Sequence, residues 1–218
     1  MKKKIFIAAL AICLVVISIA GSSVAYFTDT KQYTNVFTVG SKVAIEIVVD
    51  GVSTADTQNL LSGEGIEAYP GQEISKSIVV KNVGSDAYVG AIISFANTGR
   101  AAVGELISKT TGSSGVAPIA VTEFIKGLDT VNNTVKVSDD GLTVYVIRNE
   151  AVTNTANENE VSVLSGVTIP HKWNNSEMDK FNGVSMSVTG YAVQTAGFSD
   201  PITALQTAFD AFDTLPAN

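Results

Sequence analysis

Hydrophobic and polar residues alternate along most of this chain with a period of two, which predicts strands rather than helices. From Val43 to Val49 the residues Val43, Ile45, Ile47 and Val49 share one face, with Ala44, Glu46 and Val48 on the other. Gly40-Ser41 separates this strand from a shorter extended segment, Asn35 to Val39. Turn residues follow at Asp50-Gly51, Ser62-Gly63, Gly65 and Pro70-Gly71. The run from Ile74 to Asn82 is the next strand, Val83 to Asp86 turns the chain, and Ala87 to Phe95 returns it as the second arm of a hairpin. A second hairpin joins Asn133–Val137 to Leu142–Arg148 through Asp139-Asp140-Gly141, with Val144 and Val146 facing away from Thr143, Tyr145 and Ile147. Asn149 to Glu160 is polar and reads as a loop. Val161 to Ile169, ended by Pro170, and Gly183 to Gln194 complete the strands.

Two stretches break this rhythm. Between residues 97 and 127 glycines interrupt the pattern, and Glu105-Leu106-Ile107 and Thr122 to Lys126 predict short helical pieces, the second stopped by Gly127. The apolar content there is too thin for a separate core, so the stretch is an irregular excursion from one sandwich. At the other end Asp200-Pro201 is an N-cap followed by proline at the first helical position. Ile202, Leu205, Phe209 and Phe212 then keep helical spacing. The fold class expected is all-β, an antiparallel β-sandwich with short helical excursions and a C-terminal amphipathic helix. Residues 26–198 make the sandwich and 199–218 the helix and tail.

The first 25 residues are of another kind. Lys2-Lys3-Lys4, an apolar run from Ile5 to Ala20, and the small residues Ser23 and Ala25 flanking Val24 have the layout of a signal peptide cut between Ala25 and Tyr26. The run is shorter than the ~20 residues that span a bilayer. Ile12 is too bulky to precede a lipidated cysteine at Cys13. Contact with a membrane is therefore expected only through the uncleaved signal peptide, and the mature protein is expected outside the cell. Cys13 is the sole cysteine, so the mature chain has neither a disulfide nor a catalytic thiol. Loss of the three lysines takes the formal charge from −7 to −10. No basic patch offers a seat for nucleic acid.

The chain lacks a catalytic signature. His171 is its one histidine, HExxH is absent, and a zinc enzyme commonly needs several such ligands. His171 is read as a polar loop residue, Asp139-Asp140-Gly141 as a turn rather than a calcium loop, and Trp173 as a packing residue. No catalytic, cofactor or metal residue is assigned, and no cofactor is expected. Tyr26 to Val39 is different. It is extended in pattern, is freed at one end by cleavage, and carries Phe27, Val36, Phe37 and Val39. Such an arm can leave its own subunit and add as a strand to an exposed sheet edge of the next, those four side chains filling alternate pockets. The other reading is that it pairs within its own sheet.

Ala25-Tyr26-Phe27-Thr28-Asp29, Asn35-Val36-Phe37-Thr38-Val39-Gly40, Tyr69-Pro70-Gly71-Gln72, Val79 to Ser85, Ala87-Tyr88-Val89 and Gly190 to Phe198 occur in that order. Together they resemble the TasA/camelysin family, secreted proteins processed by a SipW-type signal peptidase. The resemblance implies a jelly-roll-like sandwich that assembles with copies of itself, and with other matrix proteins, into fibres of the biofilm matrix or cell surface. Some relatives carry a metalloendopeptidase label. A protease of that kind and a monomeric surface-adhesion module are the alternatives to a fibre subunit.

Overall fold

The computed structural model describes residues 28–29, 43–54, 58–59, 68–96, 103–112, 117–156, 158–182 and 184–209. Its strands are β1 (Thr28–Asp29), β2 (Ile45–Val49), β3 (Val52–Thr54), β4 (Gln58–Asn59), β5 (Glu73–Asn82), β6 (Ala87–Ala96), β7 (Ile107–Ser108), β8 (Ile119–Ala120), β9 (Ile125–Lys126), β10 (Asn133–Val137), β11 (Thr143–Arg148), β12 (Glu160–Thr168) and β13 (Ser185–Gln194). Among the described residues, α1 (Val121–Phe124), α2 (Asn175–Phe181) and α3 (Pro201–Phe209) are helices that join them. Sheet A runs β1-β13-β6-β11-β10, with β4 also on β13, and sheet B runs β3-β2-β5-β12-β9. Every pairing in these two sheets is antiparallel, and the short β7–β8 pair is parallel. The chain is all-β, as its alternation predicts.

Both sheets turn one face to a common core. Val43, Ile45, Ile47 and Val49 are buried from sheet B, with Ile78 and Val80 of β5. Ile93, Phe95, Val144, Val146, Met186 and Val188 meet them from sheet A. A methyl group at Gly190 would lie 3.1 Å from Ile45 and 3.2 Å from Val80, so the sheets approach closely there. The excursion adds Val103, Leu106, Ile107, Ile119, Val121, Phe124 and Ile125 to the same core. Phe124 stacks on Trp173 at 6.3 Å and meets Phe95 and Phe181 edge-on. Trp173 is 3% exposed, a packing residue.

The turns follow their residues. Asp50 and Gly51, at φ 49° and 81°, make the two-residue type I′ connection between β2 and β3. Gly71 at φ 84° takes the third position of a type II turn closed by the Gln72 N–H on the Tyr69 carbonyl. Asp140 accepts from the Leu142 N–H and the Ser138 hydroxyl and so shapes the β10–β11 hairpin turn.

Three expectations need correction. β5 and β6 do not form a hairpin: β5 belongs to sheet B and β6 to sheet A, and residues 83–86 carry the chain across the sandwich as a corner. Period-two alternation tells inside from outside but not which sheet a strand joins. The corner is built on Asn82, which is fully buried. Its amide donates to the Ser85 and Val152 carbonyls at 2.9 and 2.7 Å, and its oxygen accepts from Gly84 N–H at 3.0 Å. Second, Glu105 and Leu106 lie in a turn and Ile107 in a strand, because Ile107 pairs with Ile119. Third, the helix in the 122–126 stretch is the single turn α1, and Ile125–Lys126 leave it as β9 to pair with Gly166 and Val167. Gly127, at φ 76°, stands where a side chain would strike Ser165.

Candidate functional site: the outer edge of β13

β13 reads Ser-Met-Ser-Val-Thr-Gly-Tyr-Ala-Val-Gln, and its alternation divides it between two cores. Met186, Val188 and Ala192 enter the sandwich, while Tyr191 and Val193 lie on the outer face of sheet A. One edge of β13 pairs with β6 along its whole length, from Ser185 opposite Ala96 to Gln194 opposite Ala87. Among the described residues the other edge carries two short pieces. Thr28 and Asp29 stand opposite Val193 and Ala192, and Gln58 and Asn59 opposite Val188 and Ser187.

Among the described residues each of these ladders is two residues long, and a net backbone hydrogen bond contributes about 0.5–1.5 kcal/mol. Thr28–Asp29 comes three residues after the predicted cleavage bond. In this single chain the beginning of the predicted arm therefore pairs within its own sheet. Ser23, Ala25 and Tyr26 of the predicted cleavage site, and Phe27, Val36, Phe37 and Val39 of the predicted arm, lie outside the described residues.

The outer face beside this edge is covered by α3. Ala204, Leu205, Ala208 and Phe209 of α3 are buried against Ile92, Tyr145, Ile147, Tyr191 and Val193. The Phe209 ring meets Tyr191 edge-on at 5.0 Å and Tyr145 at 5.6 Å. Burying Leu205 and Phe209 stabilises by roughly 1.5–3 kcal/mol each. Gly90 of β6 makes room, because a methyl group there would lie 3.0 Å from Leu205 and 2.9 Å from the Val146 carbonyl. The start of the helix follows the sequence reading: Asp200 accepts from the Thr203 N–H at 2.9 Å and from its hydroxyl at 2.8 Å. Those bonds from Thr203 hold the Asp200 carboxyl below its ordinary range. Of the predicted apolar stripe, Ile202 is partly buried against the same cluster and Phe212 lies outside the described residues.

Two other edges carry features that limit pairing. β10 closes sheet A at its far side and sets Lys136 in mid-strand, a charge that discourages pairing. In sheet B, β9 pairs with β12 only at Gly166 and Val167. Register shifts interrupt β12 on both sides of Leu164, and the buried Asn133 amide donates to the Ser162 carbonyl at 3.4 Å. The outer face of sheet B has a depression of about 330 Å³ lined by Glu46, Val48, Ser53, Ser77, Val79, Lys81 and Glu160, among others. There Lys81 pairs with Glu160 at 3.5 Å and Glu46 accepts from the Ser53 hydroxyl at 2.9 Å.

His171 is exposed in the turn after β12, packed beside Gly71. Among the described residues no group of three or more His, Cys, Asp or Glu side chains is placed to hold a metal ion. No helix among them is long and apolar enough to cross a membrane. No family model matches the sequence, and no curated protein or solved structure does.

Sequence reading missed β3, β4, β8 and α2. The signal for α2 stands in the sequence: Asn174 and Glu177 form a capping box, the Asn174 oxygen accepting from Ser176 N–H and Glu177 accepting from Asn174 N–H. β3 and β4 are too short to show alternation.

Proposed function

We propose that this protein is a secreted structural subunit of fibres in a biofilm matrix or on a cell surface. A SipW-type signal peptidase frees the N-terminus at Tyr26. Residues 26–39 then leave the subunit and add as a strand to the next copy, with Phe27, Val36, Phe37 and Val39 as the side chains that anchor it. Copies of itself are the main partners, and other matrix proteins are secondary ones.

The observation that carries this reading is the edge of β13. The first described residues after the cleavage bond hold that edge by a two-residue ladder. An N-terminal element can be exchanged for the identical element of a neighbour, and a head-to-tail exchange that does not close gives a filament. The resemblance to TasA and camelysin at the N-terminal segment supports the same conclusion. It also supports a jelly-roll-like form of the sandwich, in keeping with the strands that cross between sheets at β5–β6, β11–β12 and β12–β13.

A monomeric surface-binding module is the second reading, favoured by the open polar depression on sheet B. Electron microscopy of the mature chain with and without residues 26–39 separates the two. A fibre subunit forms filaments only with the arm. Filaments from the truncated chain refute strand donation, and a mature chain that stays monomeric at every concentration favours the binding module.

A further inference from the structure

α3 and Thr28–Asp29 meet on one short stretch of β13, Tyr191 to Val193, from different directions. Thr28–Asp29 pairs with the backbone of Val193 and Ala192 along the edge, while α3 seals the side chains of Tyr191 and Val193 from above. Val193 is 1% exposed and Ala192 is fully buried beneath it in the sandwich core. Beyond Gln194 the chain turns through Gly197 at φ 93° and enters α3 at Pro201, so the helix is tied to the strand end it covers. Phe198 of that connection packs on the same cluster.

Among the described residues α3 has nine. Isolated helices of that length do not persist in water, because nucleation is costly and few bonds follow it. Its helical form therefore depends on docking, and docking and folding of α3 are one two-state event. When it undocks, Tyr191 and Val193 lose the packing on one face, and the last turn of ladder in β13 opens as a local unit. The Thr28–Asp29 ladder opens with it, having no other described partner strand.

We propose that α3 is a clamp on the arm's seat: docked, it keeps residues 28–29 on their own subunit, and undocked, it releases them. The coupling is reciprocal, so departure of residues 28–29 loosens α3 by the same factor. Under the fibre reading, on which the consequence for assembly rests, α3 then sets how readily a subunit lends its arm. The clamp itself is a property of the monomer.

Hydrogen–deuterium exchange on the dilute, monomeric mature chain tests it. Phe209→Ala and a chain ending at Ser199 are expected to raise exchange at least tenfold over residues 28–29 and 190–194. Exchange at Ile78 and Val80 in sheet B is expected to stay unchanged. Asp200→Ala removes only the cap on the solvent side and gives a smaller rise of the same sign. Lost protection over 201–209 with unchanged exchange at 28–29 and 190–194 overturns the clamp. So does a rise spread equally over both sheets in all three variants, which makes α3 a general prop of the fold. Because the readout is taken on monomers, it stands or falls separately from filament formation.

Discussion

Replacing Asn82 by alanine tests the corner that redirects the chain from sheet B to sheet A. The substitution removes three hydrogen bonds: two donated by the amide, to Ser85 and Val152, and one accepted from Gly84. Gly84 and Ser85 are half-buried, so water replaces part of what they lose, at about 0.5–1 kcal/mol each. Val152 is 3% exposed. Its carbonyl keeps the Ala87 N–H at 3.1 Å but loses its 2.7 Å partner in a dry site, for about 1–2 kcal/mol. The backbone pairing of Asn82 with Asn159 survives, which limits the total to ~2–4 kcal/mol. For a chain of this size that lowers Tm by ~6–12 °C. Trp173, the only tryptophan, is buried in the core, so its fluorescence in a urea titration reports global unfolding. The midpoint is expected to fall while the slope stays the same. A loss below ~0.5 kcal/mol would show that the corner is held by the backbone alone.

Gly166→Ala is expected to be more damaging still. Its φ of 152° disfavours a side chain and a methyl group would stand 2.3 Å from the Ile74 carbonyl, so low soluble yield or a Tm loss beyond 10 °C, on the order of 4 kcal/mol, is the outcome to look for by calorimetry. Gly90→Ala acts on the opposite face, pressing on Leu205 and Val146; limited proteolysis is expected to cut α3 sooner than the sheets, and an unchanged digest refutes the packing described. Acid weakens the cap of α3 by a signed argument. The Asp200 carboxyl is depressed below its ordinary 3.8 by the bonds from Thr203, so its contribution is complete above that value and is lost as pH falls through the lower, folded one. Protection of 201–209 in hydrogen exchange is therefore expected to decline below about pH 4, and Asp200→Asn to flatten that decline.

The fold was legible wherever burial on one face imposed a period of two. Val43 to Val49 and the β10–β11 hairpin stand as their patterns predict. Alternation carries no information on sheet membership, which is why the Asn82 corner read as a hairpin turn. It also fails where a segment gains its pairing from distant residues: Ile107 is a strand only because Ile119 lies beside it, and Ile125 only because of Val167. The cap of α3 was legible at Asp200-Pro201 because capping chemistry is local. What the helix covers was not, since the face of Tyr145, Tyr191 and Val193 is assembled from strands 46 residues apart in sequence at Tyr145 and Tyr191. The seat of Thr28–Asp29 on β13 is another such long-range contact.

The passage of the arm from one subunit to the next is tested most directly by cross-linking at its seat. Cys13 is the sole cysteine, so a chain that begins at Tyr26 has none. Thr28→Cys with Val193→Cys therefore places two thiols at partnered positions, within the Cα separation a disulfide bridges. In dilute monomer the bond closes within one chain. In filaments oxidised after assembly, the account predicts a ladder of dimers, trimers and longer species on a non-reducing denaturing gel. Filaments that yield only internally bonded monomer would contradict it, because the arm would then have stayed at home.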